Sequence, residues 1–128
     1  MAEFEAGQVG RTIQHWPRHT RFLSSPQDIA IAGVPVDDPA QDRPTGEAYL
    51  AYLRSVARAF GLRLRLYERV THLARCEGGF RLQTLGRGGE ATWQAGKVVL
   101  AVGDMARPKR LGVAGEDLPH VRHALGDV

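Results

Sequence analysis

Two glycine-punctuated stretches in the last third of the chain carry the residue types best suited to holding a ligand against the main chain. The first, Ala95-Gly-Lys-Val-Val-Leu-Ala-Val-Gly103, is a short apolar, β-branched run that closes on small residues. Such a run predicts a buried strand over Lys97–Val102 whose tip, Ala101-Val102-Gly103, lets a bound group approach the backbone closely. The second follows a proline-containing link. Leu111-Gly-Val-Ala-Gly-Glu-Asp-Leu-Pro-His-Val121 offers Gly112, Gly115 and Pro119 as turn punctuation and then one more apolar step. Other chemistries lack their residues. Cys76 is the sole cysteine, sits in a predicted hairpin turn, has no CxxC partner and shares no metal-ligand spacing with the five histidines. No serine occupies a GxSxG nucleophile elbow.

The elements that must position these stretches are legible along the chain. Phe4–Gly10 reads as the end of a strand entering a loop, and Arg11–Arg21, with Ile13, His15, Trp16 and Pro17, as a helical turn stopped by proline. Phe22–Val36 is extended and irregular, and Asp37–Arg43 is a polar loop. Pro44 and Thr45 then open the strongest helix, which Gly61 closes. Tyr49, Leu50, Leu53, Val56, Ala57 and Phe60 form its apolar face. Leu62–Leu66 alternates apolar and basic residues as a strand. Val70–Arg75, Phe80–Leu85 and Ala91–Gln94, separated by glycine-containing turns, predict an antiparallel meander. Helix, strand, meander and buried strand together make a mixed α/β chain.

Composition narrows the class. The chain has 128 residues, enough for one domain, with 17 basic and 14 acidic residues for a net charge of +3. The arginines are interspersed with Asp and Glu rather than blocked on one face, which argues against nucleic acid as a partner. No apolar run approaches the roughly 20 residues of a membrane span. A lone cysteine and the lack of a signal-peptide core lead to the expectation of a cytoplasmic protein.

Five marks in order resemble the FAD domain of the pyridine-nucleotide-dependent flavoprotein oxidoreductases, in the thioredoxin-reductase-like branch that includes bacillithiol-disulfide reductases. They are Trp16-Pro-Arg-His-Thr-Arg-Phe-Leu-Ser-Ser25, the helix Glu47–Phe60, the strand Glu68-Arg-Val70, the run Lys97–Gly103, and Gly112-Val-Ala-Gly-Glu-Asp-Leu-Pro-His-Val121. The resemblance implies an incomplete Rossmann-like FAD-binding domain, parallel strands plus a helix, with an antiparallel β-meander and without the first βα unit. It divides the chain into a loop-rich FAD-side segment (3–43), helix and parallel strand (44–66), meander (68–95), and a closing strand with an exit toward an NAD(P)H domain (96–128). No GxGxxG turn occurs, so the chain is expected to be a fragment of a larger enzyme that binds FAD weakly or not at all by itself.

What the resemblance implies for individual residues is specific. Glu5 matches the acidic residue that ends the family's second strand and accepts hydrogen bonds from the adenosine ribose; two carboxylate oxygens suit a vicinal diol. Val70 matches the position whose backbone pairs with the adenine edge. Ala101, Val102 and Gly103 match the turn near the flavin, with Val102 where relatives carry Thr. His15, Trp16 and His19 lie in the loop that approaches the flavin in relatives, although a core Trp and two surface histidines explain them more simply. Ala114 stands where the family usually has Pro, and Asp104-Met-Ala106 where it often has aromatics. The implied activity is hydride transfer from NAD(P)H to FAD and on to a small disulfide-type acceptor. The expected partners are that small-molecule redox substrate and either a second copy or the remainder of the polypeptide. A flavin-containing monooxygenase fragment and a non-catalytic interaction module are the alternatives.

Overall fold

In a computed structural model that describes residues 1–37, 43–104 and 109–123, the elements run β1 (Glu3–Glu5), α1 (Arg11–Gln14), α2 (Gly46–Ala59), β2 (Leu64–Leu66), β3 (Arg69–Cys76), β4 (Gly79–Gly86) and β5 (Gly89–Ala95). β1 and β2 pair in parallel, Glu3 opposite Leu64 and Glu5 opposite Leu66, which requires a long crossover that includes α2. β3, β4 and β5 form an antiparallel sheet in that order. The architecture is the expected mixed α/β arrangement, a parallel pair with a helical crossover and an antiparallel meander. The chain divides into two compact units: Met1–Arg11 with Tyr52–Ala101, and Thr12–Ala51 with Val102–Val128.

In the second unit the start of α2 is fixed three ways. Thr45 Oγ1 accepts the Ala48 N–H at 3.2 Å as an N-cap, the Gly46 N–H donates to the Thr20 carbonyl at 2.8 Å, and Glu47 Oε1 accepts the His19 N–H at 2.9 Å. That last bond is the main reason the Glu47 carboxyl lies below its ordinary range. Gly46 leaves little room for a side chain: a Cβ would stand 3.2 Å from Ile13 Cγ2, which would have to give by a few tenths of an ångström, and 3.5 Å from the Trp16 ring. The aromatic rings of Trp16, Phe22 and Tyr49 follow one another at centroid distances of 5.1 and 4.7 Å, and the Tyr49 hydroxyl donates to the Ile29 carbonyl at 2.8 Å.

The far end of α2 lies in the first unit and closes as a Schellman motif. Leu62 N–H donates to the Ala57 carbonyl and Gly61 N–H to the Arg58 carbonyl, with Gly61 at φ 57°. The buried face differs from the expected stripe at two places. Tyr52 joins Tyr49, Leu50 and Val56 in the core, whereas Phe60 is 54% exposed. Phe60 is the last residue before the left-handed glycine, where the chain leaves the helix and the ring stays in solvent.

The meander matches its sequence pattern closely. Register places Leu73, Leu82 and Trp93 side by side, and Val70, Thr84 and Ala91 beside them on the same face. Cys76 is not in the turn but is the last residue of β3, paired with Gly79; the turn is Glu77-Gly78. Gly79 must be glycine, because a Cβ there would meet the Ala95 carbonyl oxygen at 2.3 Å. Phe4 from β1 packs on the Trp93 ring edge-on at 5.4 Å, and the Arg65 guanidinium from β2 lies 4.1 Å over the same ring.

Lys97–Val102 corrects the sequence reading. It forms no strand, and Val99, Leu100 and Val102 are 85%, 71% and 80% exposed. A strand exists only through its ladder, and among the described residues no neighbour pairs with this run. Residues 38–42 of the expected loop, and Met105 and Ala106, lie outside the described residues.

The inward face of β4 ends on a polar side chain, Thr84, which is 1% exposed. Its hydroxyl donates to Glu68 Oε1 at 2.7 Å and accepts the Trp93 indole N–H at 3.0 Å. Replacing it by an isosteric apolar group leaves two partners unpaired. Thr84→Val should therefore lower stability by about 1–2 kcal/mol, read as a lower urea midpoint followed by Trp fluorescence, with Thr84→Ser between the two. An unchanged midpoint would remove Thr84 from its bridging role.

Candidate functional site

β1 is three residues long, and its tip is held by backbone rather than by burial. Alternation along the strand sends Phe4 to one face and Glu3 and Glu5 to the other. Glu5 Oε1 accepts the Gly7 N–H at 2.8 Å, so the carboxylate is turned back over the loop that follows the strand. The Glu5 carbonyl accepts the Glu68 N–H at 3.0 Å and the Gly7 carbonyl accepts the Tyr67 N–H at 2.9 Å. Glu68 itself is locked by Thr84 and, at 3.4 Å, by Arg65. The Thr84 bond is the main reason its carboxyl sits below the ordinary range.

This corner brings Glu5 and the start of β3 into one neighbourhood. Val70 is the second residue of β3 and 40% exposed, with a register irregularity between it and His72. β3 is an edge strand, so part of its main chain faces away from β4. Ala101 ends the first unit and is exposed. Val102, Gly103, His15 and Trp16 belong to the second unit. Gly103 has φ 64° and open space around its Cα, Trp16 packs in the aromatic series with Phe22, and His15 is exposed.

A second carboxylate is held in a similar way in the second unit. Glu116 is buried, and its two oxygens accept the Leu111 N–H at 2.9 Å and the Gly112 N–H at 2.7 Å. His123 Nδ1 lies 3.8 Å from Oε1. The Leu111 and Gly112 bonds, in that order, hold the carboxyl below its ordinary range, with the His123 charge adding to them. In the first unit an open cleft of about 700 Å³ is lined by Met1, Ala2, Arg63–Leu66, Glu68 and Trp93. Among the described residues no cluster of His, Cys, Asp and Glu is arranged to hold a metal, and no helix is long and apolar enough to cross a membrane.

Residues 3–128 match the family of pyridine nucleotide-disulphide oxidoreductases. The chain belongs to this family. Among solved structures it is similar to the bacillithiol disulfide reductase of Bacillus cereus, at 28% identity and a TM-score of 0.84 over 92% of this chain and 36% of that one. The bacillithiol disulfide reductase of Staphylococcus aureus gives 25% identity and a TM-score of 0.81, with 92% and 35% coverage. The chain thus spans about a third of the length of these reductases. A flavin-containing monooxygenase from Stenotrophomonas maltophilia matches 72% of the chain at 24% identity and a TM-score of 0.57, a likeness of fold alone. No curated protein matches the chain.

Sequence reasoning passed over Gly7, Tyr67, Thr84 and the carboxylate roles of Glu68 and Glu116. A usable signal existed for Thr84, since the alternation Phe80, Leu82, Thr84 already points it inward. Gly7, Tyr67 and Glu116 act through backbone N–H groups, which leave no trace in residue types, and Glu68 acts through a hydroxyl that only the fold brings to it.

The Glu116 loop yields a pH prediction. Because its folded value is depressed, the carboxylate's contribution is complete above the ordinary value of 4.5 and is lost as pH falls through the lower folded value. The Leu111 and Gly112 amide resonances should hold through pH 4.5 and move only at more acidic pH, and Glu116→Gln should abolish the movement. A midpoint at 4.5 would show that the two amides do not hold the carboxylate.

Proposed function

We propose that this chain forms the adenosine side of the FAD site in an NAD(P)H-dependent oxidoreductase that delivers electrons to a small disulfide-type acceptor. The observation that carries the reading is Glu5: a carboxylate at the tip of a parallel strand, with Oε1 committed to Gly7 and Oε2 without a partner among the described residues. That arrangement suits hydrogen bonds from a ribose diol. The open edge of β3 at Val70, next to the same corner, suits recognition of an adenine edge by main chain. Ala101-Val102-Gly103, with its left-handed glycine and uncrowded backbone, suits close approach of a flat ring system, and the family resemblance points to His15 and Trp16 for the flavin side.

FAD, when bound, supplies hydride acceptance and two-electron transfer; the chain's residues bind and orient it. The likeness to two disulfide reductases at 28% and 25% identity supports the disulfide acceptor over oxygenation. The acceptor, the NAD(P)H donor and the remaining walls of the site concern the whole enzyme, of which this chain corresponds to about a third.

A chimera tests the reading. Residues 3–123 would replace the equivalent segment of the Bacillus cereus reductase, and flavin content would be read from the absorbance near 450 nm. The chimera should purify with close to stoichiometric flavin, and Glu5→Ala should weaken FAD binding about tenfold or more, the size expected for lost charge-assisted hydrogen bonds. A chimera that melts cooperatively yet stays colourless would overturn the proposal.

A further inference from the structure

Three non-glycine residues among those described have left-handed backbone: His19, Ala32 and Tyr67, the last at φ 57°. A bulky side chain is disfavoured there, and such conformations persist only where the surroundings over-determine them. Around Tyr67 the determinants are explicit. Its N–H and that of Glu68 are consecutive donors, and they reach the Gly7 and Glu5 carbonyls at 2.9 and 3.0 Å. Between those two carbonyls the Gly7 N–H closes on Glu5 Oε1 at 2.8 Å. The Tyr67 ring lies under the Arg87 guanidinium at 4.8 Å, and the next side chain, Glu68, is held by Thr84 and Arg65.

We infer that Tyr67 is a positioning residue for the Glu5 carboxylate. Its left-handed turn aims two successive N–H donors at the loop that carries Glu5 and Gly7, and so fixes the direction of the uncommitted Glu5 oxygen. The consequence for ligand choice rests on the reading that Glu5 accepts hydrogen bonds from a ribose diol. Recognition of the ribose then depends on a residue that need not touch it. Fixing the carboxylate in advance avoids an ordering cost at binding.

The test uses the 128-residue chain, ¹⁵N-labelled, with Tyr67→Val, Tyr67→Asn and Glu5→Gln. Valine is β-branched and resists a positive φ, whereas asparagine tolerates it. The first readout is the acid-induced movement of the Gly7 amide resonance, which should be absent in Glu5→Gln. It should persist in the wild type and Tyr67→Asn and shrink at least threefold in Tyr67→Val, with β4 amides unchanged. A Tyr67→Val chain that keeps the full movement overturns the inference. Should Tyr67→Val unfold, hydrogen exchange of the wild type decides: Tyr67 and Glu68 amides should be protected at least tenfold over an unstructured chain, and unprotected amides overturn it. The second readout compares millimolar ADP with 2′-deoxy-ADP by shift perturbation at Gly7 and Val70. The wild type and Tyr67→Asn should prefer ADP severalfold, and Tyr67→Val should lose the preference. A wild type without preference, but with the first readout intact, would overturn the ribose reading of Glu5 and leave the positioning role of Tyr67 standing.

Discussion

The hydroxyl of Thr84 occupies a place on the inward face of β4 where alternation would otherwise put an apolar side chain, and the first unit is organised around it. One atom accepts the indole N–H of Trp93 and donates to the carboxylate of Glu68. Trp93 in turn takes Phe4 on its edge and Arg65 on its face, so β1 and β2 both meet the meander at this side chain. Few large apolar side chains are buried here; Tyr52, Val56 and Leu82 are the ones from this unit. With so small an apolar core, a satisfied polar hub contributes a large share of what fixes the two sheets. The same hub would be costly if half-satisfied, because a buried donor or acceptor left unpaired forfeits its hydration without return.

The hub also reaches the candidate site. Glu68 is bound by its side chain to Thr84 and by its backbone to Glu5, so packing inside the meander is transmitted to the tip of β1 through one residue. β1 is too short to define its own end: three residues of parallel pairing supply few ladder bonds. What defines it is the pair of donors at Tyr67 and Glu68, together with the Gly7 N–H that orients the Glu5 carboxylate. A carboxylate held in this way is already arranged before any diol arrives. On the reading proposed for Glu5, stability and recognition share the same contacts in this part of the molecule.

Much of this was legible from residue types. The three hairpin strands, the helix with its glycine stop and the mixed α/β class follow from periodicity and turn chemistry, which are local properties. The position of Glu5 at a strand tip was legible only through family resemblance, since nothing about an acidic residue near an N-terminus distinguishes it from any exposed glutamate. Tyr52 and Phe60 show the limit of a helical stripe: at 100° per residue Phe60 falls inside the expected face and Tyr52 beyond its edge, yet tertiary surroundings buried Tyr52 and left Phe60 exposed. The backbone donors at Tyr67, Glu68, Leu111 and Gly112 were not legible at all, because every residue type carries an N–H and only conformation aims it.

Lys97–Val102 separates two things that hydrophobic patterning tends to merge. Val98-Val-Leu-Ala-Val102 has the composition of a buried strand, and burying its larger side chains would contribute about 1.5–3 kcal/mol each. The described fold collects none of that at Val99, Leu100 or Val102. A helix satisfies its own backbone and needs a neighbour only for its apolar face, so α2 forms wherever part of that face is covered. A strand needs a neighbour for backbone and side chains alike, and without one even a strongly β-branched run has no reason to be counted as structure. Residue pattern states what a segment would gain from a partner; only the topology states whether the partner is present. The run ending at Gly103 is consequently the part of the chain whose family resemblance is plain and whose described conformation departs furthest from the sequence expectation.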